Sequence, residues 1–228
     1  MTCVPSGPLR TSPMSAQTSV LIWGAGGHAV VIEDILRLDG RFTVTSFIDE
    51  VDPSPRQLCG VPVLPGRGAL ASVRAQGVRH AIVGIGQCDA RLVLARLLVD
   101  EGFTLVTAVH PGAIAASSAE IGAGTVIGAG AVVGVRTRLG ASVIVNTRAS
   151  VDHDCVLEEG VHVCPAACLA GGVHIGAGAW IGAGATVIDG MSIGAGTVVG
   201  AGAVVVRPLP GGVVAYGVPA RPVRQVRR

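Results

Sequence analysis

Between residues 120 and 205 the chain carries six acids, and four of them, Asp152, Asp154, Glu158 and Glu159, fall within eight residues. His153 stands among them and His162 follows closely. An imidazole beside a carboxylate is suited to removing a proton, because imidazole changes charge near neutral pH and an adjacent acid raises its basicity. The plainer alternative is a solvated, charged edge. A second constellation lies near the start, where Gly24-Ala25-Gly26-Gly27-His28-Ala29 fits G-x-G-x-x-G/A and Asp49 follows. Glycines there let a diphosphate lie against the backbone at a helix N-terminus. By pattern alone the first guess is NAD. The motif by itself is weak, no second domain of dehydrogenase type follows, and an unliganded glycine turn gives the same spacing.

Composition narrows the chemistry. All 17 basic residues are arginine, which removes lysine Schiff-base chemistry and the Walker A lysine. Five arginines (Arg207, Arg221, Arg224, Arg227, Arg228) crowd the last 22 residues, leaving residues 1–206 at 12 − 15 = −3. That pattern lacks the dense basic face with interleaved aromatics that nucleic acid requires, so no nucleic-acid partner is expected. No apolar run approaches the roughly 18 residues of a membrane span. The six cysteines (Cys3, Cys59, Cys88, Cys155, Cys164, Cys168) show no C-x-x-C pairing and no secretory signal precedes them, which reads as small buried thiols in a reducing cytoplasm.

Two kinds of element must position these groups. Strands at Ser19–Trp23, Thr43–Ile48, Ala81–Ile85 and Thr104–Thr107 alternate with helices over Val30–Arg37, Arg67–Gln76 and from an Asp89 cap to about Val99. The first helix puts Val31, Ile32, Ile35 and Leu36 on one face and ends at Asp39-Gly40. Alternation of this kind predicts a small parallel α/β domain over 19–107. Residues 1–18 read as a loose extension, with Met14 as a possible natural start.

Beyond residue 107 the period changes. Every sixth residue from Ile121 (Ile127, Val133, Leu139, Val145, Val151, Leu157, Val163, Leu169, Ile175, Ile181, Val187, Ile193, Val199, Val205) is Ile, Leu or Val. Those types fill about a fifth to a quarter of ordinary positions, so chance does not produce fifteen in a row. The fourth residue after each is usually small or β-branched, as at Thr125, Ala131, Ala149 and Ala185. Such a period fits a solenoid whose six-residue sides each bury one aliphatic and turn a corner, three sides to a coil. Stacked coils pair their backbones at about 4.8 Å. The rod is predicted over 108–207, followed by a tail at 208–228.

Glycine follows the aliphatic at Gly122, Gly128, Gly134 and Gly140, then gives way to Asn146, Asp152, Glu158, Cys164 and Ala170. A solenoid that abandons its own pattern where histidines and acids gather is making room for chemistry. Gly171 lies one coil after His153 and stacks on it. A three-histidine zinc site from His153, His162 and His174 is disfavoured. Their spacings of 9 and 12 point them from different sides of one chain, so no metal is expected.

The segment Asn146-Thr147-Arg148-Ala149-Ser150-Val151-Asp152-His153-Asp154-Cys155, with His162-Val163 and Ala170-Gly171-Gly172-Val173, resembles the sialic-acid O-acetyltransferase type of sugar acyltransferase. That family includes N-acetyltransferases acting on UDP-4-amino sugars and on GDP-perosamine. Tyr216-Gly217-Val218-Pro219-Ala220 resembles its end, and Gly24–His28 with Ile85-Gly86 its beginning, so the likeness spans about 19–222. The resemblance implies a left-handed β-helix, whereas parallel crossovers are otherwise right-handed.

It also implies acetyl-CoA as co-substrate, a nucleotide sugar held by Gly26, Gly27, His28, Asp49, Glu50 and Gly86, and a homotrimer with sites between neighbours. His153 is implied as general base, Asp154 as its partner, and the Gly171 amide as the donor to the thioester oxygen. His162, Ala183 and Ala201 are implied to line the acetyl-CoA groove. Two departures stand out. Relatives often carry Glu where this chain has Asp154, so Asp152 is a second candidate partner, and Ala201 stands where relatives have Gly. The expected function is N-acetylation of a UDP- or GDP-4-amino-4,6-dideoxy sugar in the cytoplasm. Sugar O-acetylation, another acyl-CoA donor, a non-catalytic nucleotide-sugar binder and a zinc enzyme are the alternatives.

Overall fold

The computed structural model describes residues 17–52 and 54–226. The extension before residue 17, with Met14 and Cys3, lies outside the described residues, as do Arg227 and Arg228. The front domain runs β1 (Thr18–Trp23), α1 (Gly27–Asp39), β2 (Phe42–Asp49), β3 (Arg56–Leu58), β4 (Val61–Pro65), α2 (Leu70–Ala75), β5 (His80–Val83), α3 (Cys88–Asp100) and β6 (Thr104–Leu105). Its sheet has the order β3-β4-β2-β1-β5-β6 and is parallel except for the β3–β4 pair. β1 is therefore flanked by β2 and β5, and the chain order reverses at its carboxyl end. In open α/β sheets that reversal is where ligands bind.

Four details depart from the pattern read in the sequence. The β3–β4 hairpin was not expected; it turns on Cys59 and Gly60, both in the left-handed region at φ 53° and 76°. The stretch from Arg67 divides into a 3₁₀ turn (Arg67–Ala69) and α2. Gln87 caps α3, with Asp89 in the first turn instead. Ile32, Ile35 and Leu36 are buried as expected, but Val31 is 43% exposed because α1 packs only one narrow stripe.

From Ala108 the chain winds as a β-helix of two-residue strands in three parallel sheets. Partners are 18 residues apart, as in Ile144↔His162 and Val145↔Val163. The first sheet carries His162 and Trp180, the second Ser150 and Cys168, the third Val156 and His174. The fifteen aliphatics all belong to one core, fully buried apart from a partly buried Ile121. Each such side chain contributes about 1.5–3 kcal/mol as an upper figure. Buried threonines at the small positions bond to the next coil, with Thr137 Oγ1 donating to the Asp152 carbonyl at 2.6 Å. Residues Val213–Gly217 and Ala220–Gln225 form a hairpin that extends the first sheet.

The front domain packs onto that first sheet. Ile32, Ile35 and Leu36 of α1 share one core with Val126 and Ile144 of the coils. Of the cysteines, Cys88, Cys155 and Cys164 are buried, but Cys59 and Cys168 are exposed, contrary to the uniform burial expected. Cys59 is thrown out by the hairpin turn, and Cys168 points outward because it precedes the inward Leu169.

Candidate active site

His153 sits at the corner between the second and third sheets, and its Nδ1–H donates to Asp154 Oδ2 at 2.7 Å. A carboxylate only accepts, so this contact fixes the proton on Nδ1 and leaves Nε2 as the basic nitrogen. The Asp154 carboxylate is held well below its usual range, first by Arg136, whose Nε and Nη2 donate to it at 2.6 and 2.7 Å, then by His153. Asp152 acts elsewhere: its Oδ1 accepts from the His153 backbone N–H at 2.7 Å. Asp154, not Asp152, is thus the imidazole's partner.

Gly171 lies against the same ring. A β-carbon there would fall 2.5 Å from His153 Cε1 and 2.6 Å from Nε2, closer than real contacts allow. The Gly172 N–H bonds back to the His153 carbonyl at 2.9 Å, tying the two coils together. Among the described residues the Gly171 N–H has no acceptor, so it is available beside the basic nitrogen.

The front domain forms a second cluster. A cavity of about 440 Å³ at the carboxyl ends of β1, β2 and β5 is lined by Gly26, Gly27, His28, Asp49 and Gly86 among others. Glu50 lines an adjoining cavity of about 390 Å³ that shares Gly24, Asp49 and Ile85. Gly24 is required for the turn itself: its φ is +118° and a side chain would press on the Gly84 carbonyl. Asp49 is paired with Arg56 and accepts from the Val51 N–H at 2.9 Å. His28 is mostly buried, and its Nε2 finds no hydrogen-bond partner among the described residues.

Ala183 and Ala201 stack in successive coils at the corner between the first and second sheets, both exposed, with Gly202 N–H donating to the Ala183 carbonyl at 2.9 Å. His162 is 4% exposed and faces the front domain. Its Nδ1–H donates to the Gly86 carbonyl at 3.1 Å, Asn146 Nδ2 donates to its Nε2 at 3.2 Å, and Trp180 packs 4.3 Å from its ring. Burial lowers the pKa of His162 to about 4, opposed by the hydrogen bond to the Gly86 carbonyl and helped by Arg91. Burial and Arg91 lower His28 to about 4 as well. Both are neutral at pH 7. His153, His162 and His174 lie at a corner and on two different sheets, and no metal-binding cluster occurs among the described residues.

One residue that shapes the site was not anticipated. Arg91 of α3 is fully buried with no acidic partner among the described residues. Its guanidinium donates to the carbonyls of Gly86 at 2.6 Å, Gly160 at 2.7 Å, Ser142 at 2.8 Å and Ile85 at 3.1 Å. It thereby fastens the Ile85-Gly86 loop to two coils of the β-helix. An arginine between Ala90 and Leu92 was the only signal of it.

A small parallel α/β domain on a six-residue-repeat β-helix, with an imidazole–carboxylate pair at a corner, defines a hexapeptide-repeat acyltransferase. Residues 19–98 match the PglD N-terminal domain family. The structure is similar to GDP-perosamine N-acetyl transferase from Caulobacter crescentus, solved as a histidine-to-alanine variant with CoA and GDP-perosamine. The match has 45% identity over 91% of this chain and 98% of that one, with a TM-score of 0.88. It is also similar to the acetyltransferase domain of PglB from Neisseria gonorrhoeae in complex with acetyl coenzyme A (35% identity, 91% and 100% coverage, TM-score 0.86). WeeI from Acinetobacter baumannii AYE matches at 26% identity, 90% and 100% coverage and a TM-score of 0.83. Comparison with curated proteins gave no match. The chain belongs to the family of left-handed β-helix sugar acetyltransferases that these proteins represent.

Proposed function

We propose that this chain transfers the acetyl group of acetyl-CoA to the amino group of a nucleotide-linked 4-amino-4,6-dideoxy sugar by direct attack. The observation that carries the reading is the His153–Asp154 hydrogen bond poised over Gly171. Asp154 holds the Nδ1–H, so Nε2 takes a proton from the amine as its nitrogen bonds to the thioester carbon. The carbonyl oxygen becomes an oxyanion and meets the Gly171 N–H. Collapse breaks the C–S bond, the proton returns to the CoA sulfur, and an amide and CoA leave. No covalent enzyme intermediate is needed. Acetyl-CoA lies along the small, exposed corner of Ala183 and Ala201, whereas His162, expected to line the same groove, is buried against Gly86 of the front domain and does not reach it.

The nucleotide sugar occupies the front cleft. Gly26 and Gly27 leave room for a diphosphate at the start of α1, Asp49 and Glu50 take hydroxyls or base edges, and the unpaired His28 Nε2 supplies a further polar group. The cleft faces the first sheet, whereas His153 is at the corner opposite that sheet. A sugar held in one protomer's cleft would then meet His153 of the partner subunit, and the assembly we infer is a homotrimer with threefold symmetry. Exposed Ile114 and Val132 on the second sheet supply apolar surface for such packing. No helix among the described residues is long and apolar enough to cross a membrane. The cytoplasm is the compartment we propose, because the acetyl-CoA this reading requires is supplied there.

Turnover of acetyl-CoA with UDP- and GDP-linked 4-amino sugars tests the reading, with sialic acid as the hydroxyl acceptor and succinyl-CoA as the alternative donor. Amide formation on an amino-sugar nucleotide supports it; activity confined to a hydroxyl acceptor overturns it. In sedimentation equilibrium a trimer is expected, and an active monomer at micromolar concentration excludes the shared site.

A further inference from the structure

Along the corner that carries His153, successive coils place Ser118, Arg136, Asp154 and Gly172 in one column, each 18 residues from the last. At the equivalent corner position many repeats use glycine in the left-handed region, as at Gly172, Gly190 and Gly202 with φ of 66–67°. Arg136 and Asp154 adopt the same conformation, at φ 57° and 58°, as do Ser142, Arg148 and Ala166 at other corners, so the backbone belongs to the repeat and what sets Arg136 and Asp154 apart is their side-chain contact. Arg136 has its backbone N–H bonded to Ser118 Oγ at 3.1 Å, and its guanidinium grips both oxygens of Asp154 in parallel. Such a fork fixes the plane of a carboxylate as a single lysine contact cannot.

We propose that Arg136 is a positioning residue for the acetyl transfer, holding the Asp154 carboxylate in the plane from which Oδ2 orients the His153 imidazole. Asp154 is one methylene shorter than glutamate and emerges from a left-handed backbone, so its reach to Nδ1 depends on rotamer. The bidentate grip removes that freedom. The price is electrostatic, because the Arg136 cation opposes the carboxylate's effect on imidazole basicity. The charged groups around His153 are its chain neighbours Asp152 and Asp154, Arg136 in the preceding coil, and Asp189 beyond Gly171 at the same corner.

The role rests on His153 being the general base, but its test does not depend on turnover alone. Nitrogen NMR of the full-length protein, with the His153 signal assigned by its loss in His153→Ala, reports the tautomer directly. In the native chain the Nδ1–H tautomer should dominate. Arg136→Gln should mix the tautomers, because the Asp154 carboxylate is no longer held in the plane that accepts the Nδ1–H. In steady-state kinetics Arg136→Gln should lower kcat by about 3- to 10-fold, a fraction of a general base's contribution, with both KM values held. Arg136→Lys, which keeps the charge without the fork, should recover only part of the native tautomer and of kcat. An unchanged tautomer in Arg136→Gln overturns the proposal. So does an effect confined to the KM of acetyl-CoA, which would mark a phosphate contact instead. If His153→Ala retained turnover, the base assignment would fail, while the NMR result would still decide whether Arg136 positions the pair.

Discussion

Gly171 lies beneath the His153 imidazole so closely that a single methyl group at Gly171 would meet both Cε1 and Nε2 of the ring. The stacking follows from the 18-residue coil, which sets position 171 directly on position 153. Gly171→Ala should therefore leave the rod folded and displace the imidazole. A loss of kcat of about 10- to 100-fold is expected from a misplaced base. The oligomeric state and the KM for the sugar nucleotide should be nearly unchanged. Steady-state kinetics with a crystal structure of the variant checks this, and native kcat with an undisturbed ring position would refute it.

Removing the base itself should cost more. His153→Ala is expected to lose at least about 100-fold in kcat, with acetyl-CoA affinity little altered. Asp154→Asn should lose less, because the imidazole stays in place but loses the carboxylate that fixes its tautomer. Near-normal turnover in His153→Ala would show that another group takes the proton.

The rod was legible because every coil solves the same packing problem, and fifteen inward aliphatics at a fixed period have no other reading. The break in the glycine column was legible too, but it has two causes and only one is chemical. Asp152 stands beside the His153–Asp154 pair of the proposed catalytic corner, whereas Asn146 bonds His162 and Cys164 lies near Arg91. Those contacts dock the front domain. Their partners lie tens of residues away, so no local spacing announces them. Arg91 was hidden for the same reason, since its carbonyl acceptors span residues 85–160. The β3–β4 hairpin was missed because Pro62 argues against a strand, while the Cys59-Gly60 turn that makes it is only two residues long.

Burial of neutral histidines at the domain junction makes stability pH-dependent. His28 and His162 titrate near 6.5 when exposed and near 4 in the folded chain. The unfolded chain therefore binds more protons between those values, and folding stability falls as pH drops from about 6.5 to 4. The stabilisation is fully present above that window. At its lower end the loss is on the order of 3 kcal/mol for each group. Thermal melts across pH 4–7 should show it, with hydrogen exchange rising first around Gly86 and Trp180. His162→Gln removes one titrating group and should flatten the slope; an equally steep slope in that variant would place the acid lability elsewhere.

The front cleft separates two uses of one glycine motif. Gly26 has an ordinary extended backbone, φ −95° and ψ −172°, and a β-carbon there would meet no protein atom within 4 Å. A side chain at this position therefore intrudes on whatever occupies the cleft and not on the fold. Gly26→Val should keep the native melting temperature within a degree or two, as a surface change does. It should raise KM for the sugar nucleotide about 10-fold or more by blocking the diphosphate's approach to the start of α1. KM for acetyl-CoA should hold, because the Ala183–Ala201 corner lies on the β-helix. Calorimetric titration of the native chain completes the test: UDP or GDP should bind, and NAD should not. Tight binding of NAD without UDP or GDP would mean that Asp49 and the glycine turn serve a dinucleotide, and the acceptor would then have to be held by some other surface.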